Sequence, residues 1–224
     1  MNNNRLKWIL WDLDDTLYAP IPGYIARKRI LFVESYQQAV GGDMSFDQAE
    51  LELKRKLVEA DGLILKIFKN LGVNPRDVLQ RMADIDRTTL FTKDTGLPVL
   101  FDELEACGLK HALITNNIRF TTRDILNLLG LSPERFEFEI TMDDVRNIKP
   151  DPEPFQRFLE LSGAQPEQCV MVGDVPASDC IPAKHLGMHT ILVRKRPAVI
   201  PSEVDIYLDD IYGIPQALKE HGLV

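Results

Sequence analysis

From residue 97 to the C-terminus the chain alternates helix-length amphipathic stretches with short apolar runs, and this alternation constrains the fold more than any other feature. The helical stretches are LPVLFDELEACG, TTRDILNLLG, PEPFQRFLELSG, ASDCIPAKHLG and IPQALKEHG; between them stand the strand-like runs HALIT, FEFEIT, CVMVGD, HTILV and DIYLDD. Strands that each wait for a helix cannot be joined by hairpins. They pair in parallel, with right-handed crossovers and helices on both faces of one sheet. A further run, Trp8-Ile9-Leu10-Trp11, has the unbroken apolarity of a strand buried on both faces, yet it is cut off from the others.

The interruption is helical throughout. YIARKRILFVESYQQAV, SFDQAELELKRKLVEADG, LILKIFKNLG and PRDVLQRMADID are separated by Gly-Gly, Asp-Gly and Gly-Val-Asn-Pro breaks. The expected fold is therefore α/β, a Rossmann-type doubly wound parallel sheet with a small inserted all-helical cap. Residues 1-18 and 93-224 would form the core and 19-92 the cap, which would leave the sheet after its first strand and stand over the C-terminal edge as a lid.

The first strand ends in Asp12, Asp14 and Asp15. Ligands of open parallel sheets bind at the C-terminal edge, but like charges about 4 Å apart repel by roughly 4 kcal/mol per pair in an effective dielectric of about 20. A positive partner is required. The other strands end in polar residues on the same edge: Thr115 with Asn116 and Asn117, the loop NIKPDPEPF carrying Lys149, and Asp174 followed by Asp179.

Phosphoryl transfer suits this set. Asp12 can attack phosphorus and hold the group as an acyl phosphate. Asp14 can protonate the leaving oxygen and then take a proton from the attacking water. Thr115 with its neighbour Asn116 offers donors to phosphate oxygens, and Lys149 supplies fixed positive charge. Asp174, Asp12 and the carbonyl of Asp14 would surround a Mg²⁺ ion, a hard cation that takes oxygen ligands. Lys149, Asp151 and Glu153 each precede a proline, which disfavours the helical region and presents the lysine on a stiff, extended loop. Asp179 has two open readings: capping the helix CIPAKHLG or supporting the site from behind its ligands, or touching the metal directly.

In order and spacing, WDLDDTLY, LITNN, IKPDPEPF and VGDVPASD resemble the four motifs of the haloacid dehalogenase superfamily, and the helical block is similar to its C1-type cap. The resemblance implies Asp12 as nucleophile, Asp14 as general acid/base, and Thr115 and Lys149 as stabilisers of phosphate and intermediate. It further implies Asp174 as metal ligand, with Asp179 orienting Lys149 or a metal-bound water and Thr16 completing the first motif beside them. DLDDTLY and AKHLGMHTILV are closest to the pyrimidine 5'-nucleotidase-like group, although the fourth motif differs, reading Gly173-Asp174-Val175-Pro176. The implied function is Mg²⁺-dependent hydrolysis of a small phosphorylated metabolite through an aspartyl-phosphate. The alternatives are a sugar phosphomutase of the same superfamily and a non-catalytic phospho-accepting module.

Other readings fall away on simple grounds. A calcium loop begun at Asp12 needs Glu at its twelfth position and finds Gly23, and a P-loop needs a Gly-Lys pair that the chain lacks. A formal net charge of −8 argues against nucleic-acid polymers and anionic membranes as partners. Arg27-Lys28-Arg29 reads as a solvated helix face, and Arg119 as a weaker candidate for substrate contact. Cys107, Cys169 and Cys180 lack metal or redox spacing and are expected as reduced thiols. With no leader pattern and no long apolar window, a soluble cytoplasmic protein is expected.

Overall fold

The computed structural model describes residues 5–194 and 199–224, and the chain divides into two compact units, Met1–Pro20 with Thr92–Val224, and Ile21–Phe91. The first unit holds six strands: β1 Trp8–Trp11, β2 Lys110–Ile114, β3 Phe136–Ile140, β4 Cys169–Gly173, β5 His189–Val193 and β6 Ile206–Leu208. All neighbours are parallel, in the order β3-β2-β1-β4-β5-β6. The strand cut off in sequence is thus central in the sheet. Strand order reverses direction between β1 and β4, the switch point where a doubly wound sheet opens a crevice at its carboxyl ends.

Burial explains the unbroken apolarity of β1. Trp8 and Leu10 pack on one face with Ala112, Ile114, Cys169 and Met171, against Phe155 and Phe158 of helix α7 (Glu153–Ser162) and Ala183 of α8 (Cys180–His185). On the other face Trp11 stacks on Phe101 of α5 (Gly96–Ala106) at 5.2 Å, and Phe101 also lies 4.2 Å from the His111 ring of β2. Each such aromatic contributes roughly 1.5–3 kcal/mol of transfer free energy when fully buried. Helices α6 (Arg119–Leu129) and α9 (Ile214–Glu220) complete this unit's helices among the described residues.

One local expectation is corrected. Glu153 does not lie in the extended loop but opens α7, with Pro154 in the first turn. The missing N–H of a proline has no intrahelical acceptor at that position anyway, so the pre-proline bias is overcome.

The second unit contains α1 (Pro22–Ala39), α2 (Phe46–Glu59), α3 (Ile64–Asn70) and α4 (Pro75–Ala83). Ser45 and Gln48 form a capping box at the start of α2, and Asn74 caps α4 ahead of Pro75. Val33, Tyr36, Ala49, Leu53, Ile67, Phe68 and Val78 make a separate hydrophobic core. Buried Arg87 donates to the carbonyl of Met82 in the last turn of α4 and to that of Ile85 just beyond it, satisfying acceptors at a helix end. Among the described residues no helix is long and apolar enough to cross a membrane.

Candidate active site

Each parallel strand hands its next residue to the same edge. Asp12 follows β1, Thr115 follows β2 and Asp174 follows β4, and the ladder continues one step past the strands: Asp12 N donates to Val172 O at 2.9 Å and Thr115 N to Ile140 O at 3.0 Å. The loop between β3 and α7 adds Lys149. Its ammonium, 3% exposed as a residue, donates at 2.7 Å to Asp12 Oδ1 and at 2.7 Å to Asp179 Oδ1. One lysine therefore bridges two motifs that are far apart in the chain.

The lysine is fixed by its backbone. Asn116 accepts from Lys149 N through Oδ1 and donates to Lys149 O through Nδ2, both at 2.9 Å. Upstream, the Glu153 carboxylate accepts from the N–H groups of Arg146 and Asn147. The Lys149-Pro150 bond is cis. Asn116, whose backbone N–H the sequence offers to phosphate, uses its side chain to clamp the lysine loop to the end of β2.

Asp179 sits just before α8, but its side chain makes no capping bond there. Its Oδ1 takes the lysine and its Oδ2 accepts from Val175 N at 3.1 Å, so it orients Lys149 without capping α8, and one of its oxygens also belongs to the carboxylate group that could hold a metal. The close approach requires Gly173, where an added Cβ would fall 2.4 Å from the Cβ of Asp179.

Thr16 donates to Asp12 Oδ2 at 3.3 Å, and Thr115 Oγ1 accepts from Asn117 N at 3.1 Å. Asp14 is held by two other side chains: Oδ1 accepts from the Tyr18 hydroxyl at 2.5 Å and Oδ2 from Asn117 Nδ2. The chain turns at Asp15, whose φ of 58° is a left-handed conformation that aspartate tolerates better than most residues. Arg194, also left-handed, donates from Nε to Thr16 O at 3.2 Å and ties the end of β5 to this turn. Nothing local in the sequence marks Tyr18, Asn117 or Arg194 for these contacts, although Asn117 stands in the quoted LITNN run. Arg119 is committed elsewhere, to Glu139 and Asp144.

Three buried carboxylates, those of Asp12, Asp174 and Asp179, are gathered with one oxygen from each within 4.8 Å of the others, and two of them share the Lys149 ammonium. Burial pushes Asp12 up to about 8, with Asp179 and Asp174 adding to the shift and Lys149 opposing it. Burial disfavours the Lys149 charge, but Asp12 and Asp179 outweigh it and move the ammonium's pKa upward. The site is short of positive charge. Its donors are all carboxylate oxygens, which suits a hard divalent cation such as Mg²⁺ and not a thiolate- or imidazole-seeking metal. The histidines lie outside this cluster, and the three cysteines are free thiols.

The haloacid dehalogenase-like hydrolase family model matches residues 9–193. Pyrophosphatase PpaX of Halalkalibacterium halodurans is 40% identical over 86 residues, 38% of this chain and 39% of that protein, so the match spans about two fifths of that relative's length. Pyrophosphatase PpaX of Bacillus pumilus is 29% identical over 181 residues, 78% of this chain and 77% of that protein. Among solved structures, a HAD phosphatase from Thermococcus onnurineus superposes with a TM-score of 0.64 at 23% identity, covering 95% of this chain and 98% of that one. CbbY from Rhodobacter sphaeroides in complex with phosphate gives 0.62 at 19% identity, over 93% and 96%. These structural likenesses establish the fold.

Proposed function

The chain belongs to the haloacid dehalogenase-like hydrolases, and on that premise we propose that it is a Mg²⁺-dependent phosphomonoester hydrolase working through an aspartyl-phosphate on Asp12. The observation that carries the reading is the Lys149 ammonium, 2.7 Å from both Asp12 and Asp179 at the switch point of the sheet. In this reading residues 1-18 and 93-224 are the catalytic core and 19-92 a cap domain that selects substrate, a division supported by the separate core of each unit.

In the first step a carboxylate oxygen of Asp12 bonds to phosphorus while the bond from phosphorus to the ester oxygen breaks. Asp14 gives its proton to that oxygen, and the alcohol leaves. In the second step Asp14 takes a proton from water, whose oxygen attacks the acyl phosphate; the bond from phosphorus to Asp12 breaks, returning the carboxylate and inorganic phosphate. Lys149 offsets the charge on the transferring group, and the Thr115 hydroxyl donates to one of its oxygens. Thr16 and Asp179 hold Asp12 and Lys149 in register, and Asn116 fixes the lysine loop. Mg²⁺, held by Asp12, Asp174 and the carbonyl of Asp14, would supply the positive charge that the carboxylates lack and draw in the phosphate.

The relatives named pyrophosphatase favour a second substrate class, a phosphoanhydride cleaved by the same residues. Phosphate release from UMP, CMP, AMP, sugar phosphates, phosphoglycolate and pyrophosphate, with and without Mg²⁺, tests both. Release from monoesters only in Mg²⁺ is the expected result, and a preference for UMP and CMP would support a pyrimidine 5'-nucleotidase. A preference for pyrophosphate would move the substrate to the anhydride. Interconversion of sugar phosphates without free phosphate would replace the hydrolase by a mutase, and inertness toward every compound would leave a phospho-accepting module.

A further inference from the structure

Both carboxylate oxygens of Asp14 are held by side chains outside the catalytic set assigned above. The Tyr18 hydroxyl donates to Oδ1 at 2.5 Å and Asn117 Nδ2 donates to Oδ2. An aspartate in a surface turn is ordinarily solvated and free to rotate about χ2. Here a buried phenol and a buried amide, 4% and 5% exposed, fix the carboxyl plane from two sides.

Each partner is itself delivered by a stiff segment. The turn after β1 closes through Leu17 N to Leu13 O at 3.0 Å and brings Tyr18 back over Asp14, while Arg194 holds the same turn at Thr16 O. Asn117 is pinned at both backbone ends, its N–H to Thr115 Oγ1 and its carbonyl to Met142 N. Among the described residues the buried Asn117 Oδ1 meets no hydrogen-bond partner, so the bond to Asp14 orients that amide. A buried amide left half satisfied is disfavoured unless something is gained from its placement.

We propose that Tyr18 and Asn117 are positioning residues that aim the Asp14 carboxyl at the leaving oxygen; the inference rests on the phosphohydrolase reading above. Each contact occupies only one lone pair of its Asp14 oxygen, so both can persist as the proton passes between Asp14 and the leaving oxygen. Misplacement of a transferring group by about 1 Å can lower a rate on the order of 100-fold, so two such contacts can control the acid's contribution without touching substrate.

The test uses the full chain with Mg²⁺ and a series of aryl phosphates of increasing leaving-group acidity: phenyl, 4-nitrophenyl and 2,4-dinitrophenyl phosphate. The readout is the single-turnover rate of phenol release. A weakly acidic phenol needs a proton as it leaves, whereas dinitrophenolate does not. Tyr18→Phe, which keeps the packed ring, and Asn117→Ala should slow phenyl phosphate by about 10- to 100-fold while changing dinitrophenyl phosphate by less than about threefold, steepening the dependence toward that of Asp14→Asn. Thermal unfolding checks that each variant is folded. An active wild type whose variants slow the whole series equally, or not at all, overturns the inference and leaves the phosphohydrolase reading standing. A wild type that cleaves no member of the series overturns both.

Discussion

At Gly173 a side chain would have to share space with Asp179, and that close approach makes Gly173→Ala a sharp test of the site's geometry. Its methyl should push Asp179 off Lys149, destabilising the fold by roughly 1–3 kcal/mol as strain in a packed interior does. Urea unfolding would read the destabilisation, and a loss of turnover the displacement of Asp179 from Lys149; a variant as stable and active as wild type would mean that Asp179 is not needed where it sits. Asp12→Asn removes the attacking carboxylate but keeps its volume, and Lys149 retains Asp179 as partner. Turnover should fall by at least about 10³-fold with unfolding little changed, since the nucleophile has no substitute. Appreciable residual turnover would contradict the assignment. The residues that line this edge were legible because they follow strand ends. Asn116 was legible as a member of the loop but its side-chain clamp was not, because a clamp on the Lys149 backbone depends on how two distant loops meet.

Among the elements, β2 and α5 enclose an unusual histidine. His111 accepts from Trp11 Nε1 at 3.0 Å through Nδ1, lies against Phe101, and is 2% exposed. Burial lowers its pKa to about 4, helped by the Arg135 charge, while Phe101 backbone bonding opposes the shift. The folded chain therefore keeps His111 neutral where the unfolded chain, with an ordinary value near 6.5, takes up a proton. Its contribution is fully present above about pH 6.5 and is lost as pH falls from there toward 4, by about 3 kcal/mol at most. Urea midpoints across this range should decline less steeply in His111→Asn than in wild type. Parallel declines would show that the histidine does not carry this part of the acid sensitivity. The strand itself was legible in HALIT, but a histidine at its start gave no sign of burial, since the ring's surroundings come from α5 and β1. The alternation of strands and helices was legible because each element has its own period. Glu153 shows the limit of local rules, where a pre-proline bias yielded to a helix start.

For the whole molecule, the arrangement follows from one insertion: β1 takes the centre of the sheet although the helical unit separates it in sequence from β2. The sheet's continuity was legible in the type of each strand, whereas the strand order was not, because parallel pairing leaves no mark of which neighbour a strand chooses. The chain carries a net charge of −8, and its carboxylate cluster is short of cations, so Mg²⁺ should matter to the folded state itself. Saturating Mg²⁺ should raise the unfolding temperature of wild type, as any ligand bound only by the folded chain does, and Asp174→Asn should lose most of that rise. EDTA should silence turnover reversibly; an unfolding temperature indifferent to Mg²⁺ in both proteins would remove the cation from the site. The most direct measurement is to mix excess phosphomonoester with enzyme and Mg²⁺, quench in acid within the first turnover, and locate the phosphoryl group by peptide mass spectrometry. A transient phosphoryl group on Asp12, absent in Asp12→Asn, is the expected result. Phosphate release with no phosphorylated Asp12, or with the group on another residue, would contradict the aspartyl-phosphate mechanism.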